Sequence, residues 1–351
     1  MTDSKPPPSA LQKAEARLSS LASTLTSRVT STTASLTDRA SHTASLVTGT
    51  SGSTQIFPAF DDLPKIPNQP QGCMWGFWDR GAVKDELGSL NMLTPLVVKQ
   101  AAAEIKLGEH VQLDWGLENV QFPGFGRKKL EHKVIGRLQT EKKDDGTVEI
   151  KGGLYVMDDE VSMNTQSGSQ WDSLRHFAHQ ASGSFYNGLA YEEAMTGTRN
   201  GIHNWCQRGG IVGRGVLVDW LRWYEQTQGT TPPSPIVRHE IPIEEIQEAL
   251  RYQGTTTRPG DILLVRSGYV RWHNFASPTV RQQASGSAEM LGVQANEATV
   301  RWLYDQHFAA VAGDCMTFEA WPPKASTAAW KTQQGEAGTG SEEPTWCLHE
   351  W

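Results

Sequence analysis

The stretch D-I-L-L-V-R, from Asp261 to Arg266, is a short apolar run with a charged residue at each end. A run of this length, rich in branched side chains, is typical of a buried strand. A similar run, Gly210 to Asp219, precedes it in the chain. Between the two runs, Ile243 to Tyr252 has apolar residues at helical spacing and glutamates on the outer face. We therefore predict two strands that are joined through a helix.

The alternation of helix and strand continues toward the C-terminus. Residues Ala295 to His307 have helical spacing and are followed by the apolar run Phe308 to Gly313. This order predicts an α/β fold with a mixed β-sheet, or a barrel-like sheet, flanked by helices. No segment after Phe57 resembles a long linker, so one main domain over residues 56–351 is expected.

Residues 1–55 differ from the rest of the chain. Ser, Thr and Ala dominate them, and no aromatic residue occurs before Phe57. Such a composition is typical of a disordered tail, although a rough stripe of leucines also permits one amphipathic helix that docks on a partner subunit or a membrane surface.

Composition limits the classes of partner. The chain has 351 residues, a net charge of -7 and a pI near 5.8, and it lacks the clustered basic residues of a nucleic-acid binder. A small-molecule substrate is the expected partner. The scattered cysteines fit neither a zinc ribbon nor a disulfide framework, apolar runs are too short to span a membrane, and no signal peptide opens the chain. A cytoplasmic protein is expected.

Residues that can carry chemistry concentrate between Asn164 and His179. Asp172 and His176 are four residues apart, so they would share one face of a helical turn, and a bent loop could also bring them together. The pair could bind a divalent metal, or the carboxylate could orient the imidazole as a general base. It could also be structural, with Asp172 capping a turn. Spacing alone leaves these alternatives open.

This segment resembles the signature of the cyclase family, which includes kynurenine formamidases and isatin hydrolase. The family pattern is His-x-Gly-Thr-His-x-Asp-x-Pro-x-His, and this chain reads Q-S-G-S-Q-W-D-S-L-R-H from Gln166 to His176. The Gly, the Asp and the last His match, while Gln166 and Gln170 replace the first two His. The resemblance extends from about Trp75 to the end of the chain.

The resemblance implies roles by position. Asp172 would be a metal carboxylate, His176 the acid/base, and His349, in W-C-L-H-E-W at the end of the chain, a later metal ligand. Gln166 and Gln170 would be weak neutral ligands in place of imidazoles. Relatives continue past this point with a helix and a Gly-Glu pair, so we expect that the last helix and the late glutamate ligand are missing.

Loss of two imidazoles should weaken zinc binding and favour Mn²⁺ or Mg²⁺ with several waters. The cofactor expectation is therefore one divalent metal, Mn²⁺ or Zn²⁺, or none. Glu319 and Asp314 are either further carboxylate ligands or turn residues. Trp171, inside the motif, is expected to line the pocket for the substrate.

The expected function is that of a cyclase-family hydrolase. Activated water would attack an amide, lactone or lactam carbonyl, with arylformamidase-like activity as the family default. Two alternatives remain: a metal-independent lyase, dehydratase or cyclising enzyme of secondary metabolism, and a truncated, non-catalytic relative. The family resemblance also implies a homo-oligomer.

Overall fold

The computed structural model describes residues 57–287, 289–323 and 347–351. The predicted tail of residues 1–55 lies outside this range. The chain divides into two compact units, of which the larger comprises Pro58–Leu93 and Ala101–Trp351. Within the smaller unit, Met1–Phe57 with Thr94–Gln100, the structure describes most of one helix. All residues of the candidate site belong to the larger unit.

The described residues combine helices and strands. The strands are β1 Glu131–Lys142, β2 Val148–Ser162, β3 Ser184–Phe185, β4 Leu189–Ala190, β5 Gly215–Val218, β6 His239–Ile241, β7 Ile262–Val265, β8 Leu291–Val293 and β9 Ala310–Gly313. The α-helices are α1 Pro95–Ala102, α2 Tyr191–Thr196, α3 His203–Arg208, α4 Trp220–Thr227, α5 Ile243–Gln253, α6 Tyr269–Phe275, α7 Pro278–Ser287 and α8 Glu297–Asp305. Short 3-10 helices cover Phe60–Asp62, Gly88–Met92, Leu117–Asn119, Thr165–Ser167 and Tyr186–Gly188.

The predicted strands pair in a parallel sheet of order β5, β7, β9. Val216 lies opposite Leu263, and Val218 lies opposite Val265. These four side chains are buried, whereas the alternate residue Leu217 is 47% exposed. The sheet therefore buries one face in the main core and leaves part of its other face accessible.

The charged residues that end each strand pair with one another. At the N-terminal ends of β5 and β7, Arg214 donates two hydrogen bonds to the carboxylate of Asp261, at 2.8 and 2.6 Å. At the C-terminal ends of the same strands, Arg266 donates a hydrogen bond to Asp219 at 2.6 Å. Because β5 and β7 are parallel and in register, charges at equivalent ends of the two runs come together.

Helices pack against the buried face of this sheet. In α5 the residues Ile243, Ile246, Ala249 and Leu250 are buried, as the helical spacing predicts. The helix ends at Gly254, which has a φ of 65° and closes the C-terminus in the left-handed conformation. The adjacent core includes the short parallel pair of β6 and β8.

A long hairpin of β1 and β2 stands apart from this core. The strands are antiparallel and joined through the turn that contains Asp145 and Gly146, and nearly all their side chains are exposed. The described strands form separate sheets of two or three, so they build no closed barrel. A mixed α/β fold is thus observed, and the barrel-like alternative is not confirmed. No described helix has the length and apolar character that a membrane span requires.

Candidate active site

The motif segment is a bent loop. Asn164 caps the 3-10 turn Thr165–Ser167 by accepting a hydrogen bond from the backbone N–H of Gln166 at 2.8 Å. Asp172 lies outside any helix or strand, and the backbone N–H of His176 donates to the carbonyl of Ser173 in a tight turn. A bent loop, and not a helical face, therefore brings Asp172 and His176 together.

Neighbouring elements hold this loop in place. Arg175 donates to the backbone carbonyl of Gly197 at 2.7 Å, which anchors the turn between Asp172 and His176. Asn187, with a φ of 57°, donates to Asp79 and accepts from the backbone N–H of Gly76. The bond of Arg175 to Gly197 thus anchors the loop to the segment that ends α2, as precise positioning of side chains requires.

The structure gathers Asp172, His176 and His349 into one cluster. Nε2 of His176 lies 3.9 Å from Oδ1 of Asp172, and Nε2 of His349 lies 3.7 Å from Oδ2 of the same carboxylate. Potential ligand atoms of the three residues all lie within 4.8 Å of one another. Both distances exceed those of direct hydrogen bonds, so a small group can fit between these side chains.

Glu319 orients the imidazole of His349 through a hydrogen bond. Its carboxylate is fully buried and accepts from Nδ1 of His349 at 2.7 and 2.8 Å. This bond directs Nε2 of His349 towards Asp172. A carboxylate behind the imidazole of a ligand is a common arrangement in metal sites, where it sets the tautomer and the ring orientation.

The charges of the cluster follow from burial and from these contacts. Burial opposes the charged form of His349, but Asp172 and Glu319 outweigh it and raise its pKa to about 10. Burial lowers the pKa of His176 below its usual value, and the positive charges of His349 and Arg127 add to this effect against the attraction of Asp172. The pKa of Asp172 is also lowered: burial opposes ionisation, but the adjacent His349, His176 and Gln166 prevail. At neutral pH the site therefore combines a neutral His176 with an ionised Asp172.

The two glutamines lie beside the cluster and bond to each other. Nε2 of Gln170 donates to Oε1 of Gln166 at 3.0 Å, and Gln166 also stabilises the Asp172 carboxylate. Gln170 is exposed, whereas Gln166 is half-buried. Their roles as metal ligands remain predictions.

The donor set of the cluster fits a divalent metal. Oδ1 of Asp172 is buried and accepts no hydrogen bond from any described residue, so one lone pair is free for a ligand contact. The carboxylate of Asp172 and the imidazole of His349 are suitable ligands for Zn²⁺ or Mn²⁺. Atoms bound to one ion at ~2.1 Å lie roughly 3.0 to 3.5 Å apart, so Nε2 of His349 and Oδ2 of Asp172, which are 3.7 Å apart, would need to approach by only a few tenths of an ångström.

Other residues named from the sequence occupy different positions. Trp171 is partly exposed and packs edge to face on Trp205, with ring centroids 6.3 Å apart; its contact with substrate stays a prediction. Asp314 is a turn residue: it accepts from the backbone N–H groups of Ser267 and Gly268. It does not belong to the metal-ligand cluster found among the described residues.

Sequence reasoning missed Arg127. Its Nη1 donates to the backbone carbonyl of Gln166 at 3.1 Å, and its charge acts on both Asp172 and His176. No local spacing links Arg127 to a motif that begins 39 residues later. The role of Glu319 had a weak signal, because acidic residues that follow a parallel strand often lie at the functional edge of the sheet.

Comparison with known proteins shows to which family the chain belongs. A family model described as Cyclase matches residues 70–320. The chain belongs to the cyclase family. A crystal structure described as that of a novel cyclase is similar to this cyclase-family chain, with 28% sequence identity and a TM-score of 0.57. The similarity covers 71% of this chain and 79% of the other. A comparison with curated proteins finds no match. The resemblance in the motif is therefore confirmed at the level of the family, and membership suggests an enzyme.

Proposed function

We propose that this chain is a hydrolase that activates water against an amide, lactone or lactam carbonyl. The observation that supports the proposal best is the half-buried cluster in which Asp172 and His176, from the motif loop, meet His349 from the C-terminal segment. An ionised carboxylate beside a neutral imidazole is suited to the removal of a proton from water. An arylformamidase-like amide is the first substrate class to test.

In the proposed mechanism His176 acts as general base. Its pKa lies below the usual value of 6.5, so the imidazole is neutral at pH 7 and can accept the proton of the attacking water. Asp172 then stabilises the imidazolium that forms, since its carboxylate lies 3.9 Å away. His176 returns the proton to the leaving nitrogen or oxygen as the tetrahedral intermediate collapses.

Asp172 and His349 are the residues that would hold a divalent metal, with Glu319 keeping His349 in place. When bound, such an ion polarises a carbonyl and lowers the pKa of bound water. Elemental analysis of the purified chain tests this part. We expect close to one equivalent of Mn²⁺ or Zn²⁺, and less than about a tenth of an equivalent would contradict it.

A second candidate is a metal-independent lyase, dehydratase or cyclising enzyme. The observation that favours it is the position of His349 between the carboxylates of Asp172, at 3.7 Å, and Glu319, at 2.7 Å, which raise the pKa of His349 to about 10. A protonated His349 next to a neutral His176 is an acid and base pair, and it needs no metal. In this version Gln166 and Gln170 serve only to position the carboxylate.

The deciding experiment is a turnover panel of a formanilide, an aromatic lactone and an aromatic lactam in ¹⁸O-labelled water. We expect hydrolysis of at least one class, with the label in the released acid. His176→Ala should lower kcat about 10²- to 10⁴-fold, and the exposed His203→Ala serves as the matched control. A turnover product without label would favour the second candidate. Full turnover by His176→Ala would contradict both, and no turnover of any compound would favour a non-catalytic relative.

We also propose that the protein is cytoplasmic and forms a homo-oligomer. Support for self-association comes from the hairpin, where Leu154, Tyr155 and Met157 are large, apolar and exposed. The mass of the purified chain by light scattering tests this point.

A further inference from the structure

Arg127 places a positive charge beside the cluster of Asp172, His176 and His349. Arg127 is half-buried, and its Nη1 donates a hydrogen bond to the backbone carbonyl of Gln166. Among the described residues no carboxylate oxygen lies within 4.0 Å of its guanidinium. None of its other guanidinium nitrogens is a buried atom without a partner, so these donors are accessible to an incoming ligand. The remaining N–H donors of Arg127 are therefore suited to an anion supplied by a ligand.

The side chain of Phe125, two residues before Arg127, is also suited to contact with a ligand. Phe125 is 45% exposed, and the guanidinium lies over its ring, 4.9 Å from the centroid. Its φ is 61°, a left-handed conformation that is unusual for a bulky residue and costs about 1 kcal/mol or more. The ring also meets Trp321 edge to face at 6.1 Å. Phe125 and Gly126 are the central residues of a turn closed by the bond from the N–H of Arg127 to the carbonyl of Gly124, and this turn holds an exposed aromatic ring beside the guanidinium, where a planar ligand can stack.

We propose that Arg127 and the Phe125 ring form an anion subsite that binds a carboxylate attached to a planar group. A guanidinium presents paired N–H donors that match the two oxygens of a carboxylate, and the aromatic ring can stack on the planar part of the ligand. The hydrogen bond from Arg127 to the backbone carbonyl of Gln166 places this subsite beside the loop that carries Asp172 and His176.

The inference rests on the proposed function only in naming the ligand as substrate or product. Hydrolysis breaks the C–N or C–O bond of the acyl group, forms a C–O bond to water and releases an acid, which ionises at neutral pH. Arg127 would hold that product carboxylate, or a carboxylate that the substrate already carries. The ligand class is thus an aromatic acid or its amide, lactone or lactam precursor.

The test measures binding and not turnover. Benzoate and the neutral benzamide, of equal size, are titrated into the full chain by calorimetry, in the presence of EDTA so that carboxylate binding to a loosely held metal is excluded. We expect benzoate to bind at least about tenfold more tightly than benzamide, and Arg127→Gln to remove most of this difference. Arg127→Lys keeps the charge but loses the paired donors, so it should be intermediate.

The matched control is Lys128→Gln, which removes one positive charge from the exposed neighbour of Arg127. It should leave benzoate affinity unchanged. The proposal is overturned if Arg127→Gln binds benzoate as the wild type does, or if the wild type binds both compounds equally. The comparison of benzoate with benzamide on the wild type needs no variant, so it tests the proposal even if Arg127→Gln fails to fold. A chain that binds benzoate through Arg127 but hydrolyses nothing would retain the subsite and contradict only the proposed function.

Discussion

The parallel sheet and the motif loop are built from opposite kinds of contact. In the sheet, Val218 and Leu263 are fully buried and the charges at the strand ends are paired. In the loop, Asp172 has a buried oxygen without a hydrogen bond, and Arg127 is half-buried without a carboxylate partner. The sheet therefore provides stability, whereas the loop holds polar groups at a cost in stability, as functional sites commonly do.

The sharpest test of this contrast is Asp172→Asn. We expect kcat/KM on the substrate found in the panel to fall about 10³-fold, or about 4 kcal/mol in the barrier, because the carboxylate no longer stabilises the imidazolium of His176. The free energy of unfolding should fall only slightly at pH 7: the lowered pKa of Asp172 means that His349 and His176 favour its charge in the folded state, and the amide can still accept a hydrogen bond. Steady-state kinetics and urea unfolding measure the two quantities.

Asp314→Asn is the matched control for this change. Its carboxylate accepts backbone N–H bonds after β9, so the variant should lose about 1 to 2 kcal/mol of stability while its turnover changes little. The contrast fails if Asp172→Asn destabilises the protein as much as Asp314→Asn does.

Leu263→Ala should have the opposite effect to Asp172→Asn. The side chain is buried in the sheet, so its truncation leaves a cavity and should lower the free energy of unfolding by about 3 kcal/mol. Leu217→Ala, on the accessible face of the same sheet, should cost less than about 1 kcal/mol. Urea unfolding distinguishes the two. Equal losses would show that both faces of the sheet are covered in solution.

Outside the candidate active site, we expect a smaller effect, which appears in how the free energy of unfolding depends on pH. His273 is buried against Trp115 and Tyr269, and burial, aided by Arg281, lowers its pKa to about 4. The unfolded chain binds this proton near pH 6.5 and the folded chain does not, so stability falls as the pH drops from about 6.5 to about 4. We expect a loss of about 2 kcal/mol by unfolding titrations at each pH. His273→Phe should remove this component, and an unchanged pH profile would contradict the assignment.

The smallest effect is expected in the hairpin. Tyr155 is 82% exposed on β2, so Tyr155→Thr should change the free energy of unfolding by less than about 0.5 kcal/mol. Thermal unfolding at two protein concentrations measures this. A larger loss that grows with dilution of the variant would instead indicate that Tyr155 lies in an interface between copies of the chain.

Predictions from the sequence succeeded where structure is local. The helix from Ile243 and the strand from Ile262 were predicted nearly to their ends, because burial of one face imposes a period that neighbouring residues reveal. The hairpin was not predicted. Its strands bury no face, so they lack the alternation that marks a half-buried strand, and register shifts interrupt their pairing.

For the site, the sequence identified the chemistry but not the arrangement. Asp172 and His176 are close in the chain, and resemblance to the family added His349. The link from Glu319 to His349 crosses 30 residues, and the link from Arg127 to Gln166 crosses 39. Contacts of this kind depend on how the chain returns to the same place, and no local pattern encodes that.

The sequence by itself determined the strand and helix order of the core, the family and the residue types of the motif, because periodicity and short motifs depend on neighbouring residues. Only the tertiary structure decided that the motif is a bent loop, that His349 meets Asp172 with Glu319 behind it, and that Arg127 lies beside them. Those positions depend on distances between side chains that are far apart in the chain, and these are set only when the core packs.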